Sequence, residues 1–354
     1  MDYGSDKKSA IKARNDAQKI AFGPVMFQAA RALRNLGILE TIRQSPEGIS
    51  REQVAEKLDL SYYGVKVLLE AGLSIELVYV KEDKYFITKT GIFILSDTLT
   101  NVNMDFNHDV NYFGMFHLQE AVEKERPEGL KQVFGDWETI YHALSSLPEQ
   151  VQKSWFAFDH YYSSVAFPKI LPWIFANQPS HIFDVGGNTG KFALQCAEYD
   201  SNVPITIIDL PQQIELAKKN IKKHNHTAQI DYYPLNLLEH NKSFPGTADV
   251  IWMSQFLDCF SQEDIRQILV RSAQALNEGG ALFILETYWD RQRFDGATYC
   301  LHGTSLYFTS MANGKSQMYH SEDIKKLIHQ AGMKITQDTD HIGMGHTLFK
   351  CQLK

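Results

Sequence analysis

The sequence predicts an α/β protein, with a parallel, doubly wound sheet in its C-terminal half and a smaller, mainly helical domain ahead of it. Three observations carry this. From His181 onward short apolar runs alternate with amphipathic segments; a glycine-rich turn closes the first of those runs; and the first hundred residues read as three helices followed by a hairpin. The chain has 354 residues, enough for two domains, and its 44% hydrophobic and 22% charged residues are the profile of a globular protein.

The N-terminal elements follow from periodicity and capping. Apolar residues recur at helical spacing over residues 22–42 (Val25, Ala29, Leu33, Leu36, Leu39, Ile42), as one amphipathic helix or two short ones, ending in a Gln-Ser-Pro-Glu-Gly turn. Ser50 precedes Gln53 in capping-box order, so a further helix starts there, and Ser61 caps the next one, which runs to Ala71. Residues 77–80 and 85–88 flank the polar turn Lys81-Glu82-Asp83-Lys84 as a hairpin. Three helices and a hairpin make a winged helix, assigned to residues 1–100. Its third helix, the would-be recognition helix, offers Lys66 as its single base, whereas groove readers present several basic or amide side chains, so packing or dimerisation is expected here and DNA binding is not.

Residues 101–179 form an aromatic-rich helical linker expected to contribute to a ligand pocket, and residues 180–354 form the sheet domain. The runs HIFDVGG, PITIIDL, ADVIWMSQFL and GGALFILET are strands buried on both faces, and their intervening helices make the sheet parallel. Residues 333–336 and 346–350 complete it as antiparallel strands.

The glycine turn Asp184-Val185-Gly186-Gly187-Asn188-Thr189-Gly190-Lys191 sits where such sheets bind ligands. It fails the dinucleotide pattern, because Asn188 and Lys191 stand where glycines are required. It also fails the phosphate loop, because Val185 and Phe192 occupy key positions. An acidic residue followed by GGxxG suits a nucleoside without phosphates and with a cationic end, which a sulfonium cofactor provides. Asp209, at the end of the second strand, is placed to accept hydrogen bonds from ribose hydroxyls, with Leu210 beside it.

These motifs, with FLDCFSQEDIRQILVRSAQALNEGGALFILE and NGKSQMYHSEDIKKLIHQAGM, resemble the acetylserotonin and plant phenolic type of small-molecule O-methyltransferases over most of the chain. The resemblance implies a Rossmann-like methyltransferase domain behind a winged-helix dimerisation domain, S-adenosyl-L-methionine as cofactor with S-adenosyl-L-homocysteine as product, and a homodimer. Carried over by position, Asp184, Gly186, Gly187, Gly190, Asp209 and Leu210 fall at the cofactor, Asn236 faces the base, and Ser254 stands where plant members place a lysine.

The departure lies in the third motif. Asp258, in Asp258-Cys259-Phe260-Ser261, replaces the family's catalytic histidine; Glu286 matches a glutamate that orients the base, and Met318 falls where a second glutamate is expected. The expected catalytic set is Asp258, Glu286 and His160, with His302 a further histidine to consider. Phe156, Tyr161, Phe260, Tyr307 and Met311 are the expected substrate-pocket residues.

The expected activity is methylation of a small acceptor, an aromatic or polyketide-like metabolite, most often at oxygen. The alternative is a catalytically silent member that binds the cofactor as a sensor or scaffold. A formal charge of -7 removes any general attraction to nucleic acid, and no apolar run reaches the roughly 20 residues of a membrane helix. The four cysteines form no CxxC pair and no cluster of ligands demands a metal, so a cytoplasmic protein with a small-molecule acceptor and no metal, membrane or nucleic-acid partner is expected.

Overall fold

The local signals at the N-terminus translate directly into structure. The computed structural model describes residues 3–163, 165–224 and 229–354, which divide into two compact units, Met1–Asn107 and His108–Lys354. The division falls inside the 101–179 segment. Its first residues finish the Thr98–Phe106 helix of the first unit, and the rest packs with the sheet of the second.

In the first unit the 22–42 stretch forms two helices, Gly23–Asn35 and Ile38–Arg43. Ser50 and Gln53 form a complete capping box on the Arg51–Leu58 helix, and Ser61 caps the Tyr62–Ser74 helix by accepting from the Gly64 amide at 3.0 Å. Strands β1 (Val78–Lys81) and β2 (Lys84–Ile87) pair antiparallel as the wing. Leu33, Leu39, Val54, Val65 and Leu69 pack the small core. Asp105 closes the unit by receiving Arg31 at 2.7 Å and Arg34 at 2.6 Å, so the last helix is tied to the second.

The second unit is built on a seven-stranded sheet in the order β5-β4-β3-β6-β7-β9-β8. The strands are β3 (Ile182–Val185), β4 (Ile205–Asp209), β5 (Ile230–Pro234), β6 (Ala248–Ser254), β7 (Leu276–Glu286), β8 (Met333–Ile342) and β9 (His346–Leu353). The first five are parallel; β9 joins β7 and β8 antiparallel. Because successive side chains on a strand alternate sides, each buried strand feeds two cores. Val185, Ile208, Ile251, Met253 and Ile284 fill one; Ile182, Ile207, Trp252, Phe283 and Leu285 fill the other. This double burial is why the strands read as unbroken apolar runs.

Strand order reverses between β3 and β6, and a parallel sheet opens a crevice at such a point, outside its carboxyl ends. The glycine turn after β3 and residues 254–260 after β6 both lead into that crevice. Beneath it Trp252 stacks on Phe192 at 4.4 Å between ring centroids, with Phe167 edge-on at 6.1 Å. Removing this indole leaves a cavity too large to collapse. Trp252→Ala is therefore expected to cost about 3–5 kcal/mol, read as a fall in the urea midpoint; a loss under about 1 kcal/mol would show that the stack carries no such weight.

Candidate active site

A cavity of about 930 Å³ occupies the crevice, within the range of small-molecule sites. Its two ends differ in chemistry. At one end, Gly186, Asn188, Asp209, Leu210, Leu235 and Asn236 line the wall. At the other, Tyr141, Trp155, Asp159, Asp258, Phe260 and Tyr307 do.

The first end is organised around Asp209. Its Oδ2 accepts the Asn188 amide at 2.9 Å and its Oδ1 the Leu210 amide at 2.7 Å, which fixes the carboxylate at the strand tip. A carboxylate has about four acceptor positions, so two remain for a vicinal diol. Leu210, Leu235, Leu237 and Phe256 supply apolar faces for a flat base. Asn236 spends its Oδ1 on the Leu238 amide at 3.0 Å, which leaves its amide NH2 to donate.

The glycines act mainly on the protein itself. Gly186 has φ 73° and a Cβ there would lie 2.2 Å from the Phe256 ring; Gly190 has φ 75° and a Cβ would meet Ile221 at 2.5 Å. Both the left-handed backbone and the packing exclude larger residues. At Gly187 a Cβ would fall 2.8 Å from Ile207 and 2.9 Å from Asp184 Oδ2. Gly186 lines the cavity; Gly187 and Gly190 lie behind it.

Asp184 is buried under the turn, where the Ala193 amide donates to it and its Oδ2 has no partner among the described residues. Burial, and then the nearby charge of Asp209, pushes its carboxyl up to about 8. Asp209 is itself raised to about 6 by burial, against the pull of the two amides. Buried Asn188 Oδ1 and Gln213 Oε1 also lack partners among the described residues. Orphaned acceptors, a fixed strand-end carboxylate and apolar faces, with no Lys or Arg among the residues lining this end, fit a phosphate-free nucleoside bearing a cationic group.

At the far end Asp258 is 6% exposed and receives the Cys259 thiol at 3.4 Å and its own backbone amide. Glu286 lies beneath it, outside the cavity, and its Oε1 accepts the amides of Phe256 and Leu257 at 2.9 and 2.8 Å. Burial raises both carboxyls; Asp159 raises Asp258 further, and Asp258 raises Glu286. Glu286 thus holds the backbone that presents Asp258. Tyr307 accepts the Trp155 indole N–H at 2.8 Å, and Tyr141 donates to Cys259 Sγ at 3.0 Å, which fixes the aromatic wall.

Other expected residues lie elsewhere. His160 does not line the cavity: its Nε2 lies 3.5 Å from Thr189 Oγ1, and burial followed by Lys191 lowers it to about 4, so it is neutral at pH 7. Phe156 packs edge-on against Trp155 and lies near His160, and Tyr161 contacts Tyr162, both away from the cavity wall. Met311 is fully buried with its sulfur beneath Gly114. Ser254 Oγ is buried without a partner among the described residues, and the cavity wall there belongs to Gln255 and Phe256. His302 is exposed, 5.0 Å from the Trp289 ring.

Among the lining residues that were not expected are Asp159, Asn188, Gln213 and Gln255. Asn188 donates its side-chain amide to Asp159 Oδ2 at 2.9 Å, so the glycine turn and the Glu149–Ser163 helix are joined at the cavity wall. Among the described residues no group of His, Cys, Asp and Glu is arranged to hold a metal ion, the four cysteines are free thiols, and no helix is long and apolar enough to cross a membrane.

The raised carboxyl of Asp184 has a consequence for stability. A carboxyl raised by folding stabilises the native state below its unfolded pKa of about 3.9, and that contribution is lost as pH rises through its folded value. The thermal midpoint should therefore fall as pH is raised from about 6.5 to about 8.5, where Asp184 titrates. In Asp184→Asn the decline should flatten, and an unchanged slope would remove Asp184 as its source.

Comparison with known proteins shows the family and the fold. The profile of the O-methyltransferase domain family matches residues 115–334, and that of the Dimerisation2-like domain matches residues 14–85. L-tyrosine C(3)-methyltransferase of Streptomyces lavendulae is 22% identical over 88% of this chain and 85% of its own length. Acetylserotonin O-methyltransferase of Gallus gallus is 22% identical over 88% of this chain and 89% of its own. In fold, the S-adenosylmethionine-dependent methyltransferase SibL matches 95% of this chain and 98% of its own at TM-score 0.71 and 20% identity. Human N-acetylserotonin methyltransferase, solved with S-adenosylmethionine, matches the whole of both chains at TM-score 0.66 and 19% identity.

Proposed function

The chain belongs to the O-methyltransferase family, and on that premise we propose that its cavity holds S-adenosyl-L-methionine at the Asp209 end and a small-molecule acceptor at the Asp258 end. The protein is an S-adenosylmethionine-dependent methyltransferase. The observation that carries the assignment of residues is the single cavity, whose one end suits a nucleoside and whose other end is walled by aromatic rings and carboxyls. Relatives named for tyrosine C-methylation and for 3-O-methylation of a naphthoate support an aromatic acceptor of modest size.

When bound, the cofactor supplies a methyl group activated on a sulfonium. The protein's share is to hold the acceptor atom in line with that methyl, to exclude water and to manage the acceptor's proton. Positioning alone supplies much of such an acceleration. Asp209 holds the ribose and Asn236 donates to the base. Asp258 accepts the acceptor's proton or hydrogen bond: burial, and after it the Asp159 carboxyl, raise it above an ordinary aspartate to about 7, which makes it the better base. Glu286 is a positioning residue, because it reaches Asp258 only through the backbone of residues 256–257.

We assign the first unit to homodimerisation and the protein to the cytoplasm. The Ala10–Ala21 helix buries none of its residues, and Ile11 and Ile20 are 77% and 79% exposed, which suits a face covered by a second copy. Sedimentation should give twice the chain mass, and a stable monomer at micromolar concentration rejects the dimer.

Calorimetric titration with S-adenosylmethionine and S-adenosylhomocysteine, with NAD and ATP as controls, tests the cofactor end. Selective binding of the sulfonium pair is expected. Asp209→Ala should weaken it by about 1.5–3 kcal/mol, the worth of a charged hydrogen bond; an unaltered dissociation constant takes Asp209 out of the site. Asp258→Asn should abolish turnover and leave cofactor affinity within a factor of about two. Full activity in that variant would sink its role.

A further inference from the structure

Several oxygens of the wall that suits a flat base are already spent on the protein itself. Residues 235–238, which follow β5, all line the cavity. The Arg271 guanidinium reaches this segment from the Gln262–Gln274 helix and donates to the carbonyls of Leu237, Glu239 and Lys242, the last at 2.9 Å. The Asn236 carbonyl receives the Glu239 amide at 3.0 Å, and its side-chain oxygen receives the Leu238 amide at the same distance. Asn236 is therefore left with an NH2 group to donate. Asp209 has one amide on each of its oxygens and turns its remaining capacity to the ribose.

Gln213 is different. It lies on the Pro211–Ile221 helix three residues beyond Leu210, and residues so spaced share a helix face, which sets it beside the apolar surface that Leu210 offers a base. It lines the cavity, is 8% exposed, and its Oε1 has no partner among the described residues. A buried carbonyl left unpaired costs free energy that a donor on a ligand recovers. The last torsion of a glutamine is soft, so the carboxamide turns its oxygen to such a donor at little cost. Asn188 Oδ1 is unpaired too, but it belongs to the glycine turn, where the rest of the residue is tied to Asp209 and Asp159. Resting on the reading of this end as the cofactor site, we propose that Gln213 reads the base: its carbonyl accepts the exocyclic amine at position 6 of the purine, while the Asn236 NH2 donates to the adjoining ring nitrogen. A 6-amino purine satisfies both groups. A 6-oxo purine turns an oxygen to Gln213 and an N–H to Asn236, and a purine without the amine leaves Gln213 unpaired.

The test separates this proposal from the reading beneath it. Affinity for S-adenosylhomocysteine is measured first by calorimetry; absence of binding overturns both. The protein is then titrated with two analogues that differ from it in the base alone, one with hydrogen in place of the 6-amine and the other S-inosylhomocysteine, whose base is 6-oxo. The analogue lacking the amine should bind about tenfold more weakly, the worth of one buried hydrogen bond, and the 6-oxo analogue more weakly still. Gln213→Met should bind S-adenosylhomocysteine and the analogue lacking the amine equally, within about a factor of two. Gln213→Glu keeps an acceptor and should retain the preference. Equal affinity of the unaltered protein for those two ligands overturns the proposal and leaves the cofactor reading standing. A Gln213→Met variant that keeps the preference does the same, whether or not its overall affinity falls, because Gln213 would then act through packing alone. Should that variant fail to fold, Gln213→Glu decides, and loss of the preference there overturns the proposal.

Discussion

Everything in the second unit depends on a crowding of carboxylates at one edge of a parallel sheet. Parallel strands bring all their carboxyl ends to the same side, and here Asp184 is the last residue but one of β3, β4 ends on Asp209, Asp258 follows β6 and β7 ends on Glu286. Asp184 and Asp209 repel one another, as do Asp258 and Glu286. Burial alone would neutralise such groups or force them apart. The fold instead spends backbone donors on them: the Asn188 and Leu210 amides on Asp209, Ala193 on Asp184, and Phe256 and Leu257 on Glu286. Ala193 lies in the first turn of the Lys191–Tyr199 helix and the other donors in the segments that leave the sheet, so these segments and the carboxylates hold each other in place.

This division of labour explains why the glycine turn has its form. Gly186 must adopt a positive φ beside the Phe256 ring, and Gly187 must leave room for Asp184 below. With the backbone so constrained, Asn188, itself at φ 50°, points its amide N–H at Asp209 and its side chain at Asp159. One residue thereby joins the tip of β4 to the Glu149–Ser163 helix at the cavity wall.

Much of this was legible in the sequence, and the reasons are local. Apolar runs reveal strands because both faces are buried, Ser50 and Ser61 reveal helix starts because a cap is a short-range bond, and Asp209 can be placed at the cavity because the strand tips of a doubly wound sheet border its crevice. What the sequence hid was which face of the Glu149–Ser163 helix meets the cavity. Residues three and four apart share a helix face, so Trp155, Phe158 and Asp159 belong together and Phe156 and His160 belong to another side. A dense aromatic segment makes either face look suitable, and a histidine draws the eye from the aspartate before it. Met311 was obscured differently. Residues Phe308–Ala312 form a π-helical turn, whose i→i+5 bonding takes more residues per turn and so rotates the side chains after Tyr307 out of the register that a regular helix would give.

The replacement of the family histidine by Asp258 need not weaken the acceptor chemistry, because the surroundings differ along with the residue. A histidine beside a buried glutamate would be held protonated or paired; an aspartate there is pushed the opposite way, toward the neutral form and greater proton affinity. Tyr141 and Cys259, both raised well above their ordinary values by burial, add no competing negative charge at neutral pH. Burial, and after it Asp159, raise the Asp258 carboxyl, and a positive charge brought near such a group would favour its ionised form.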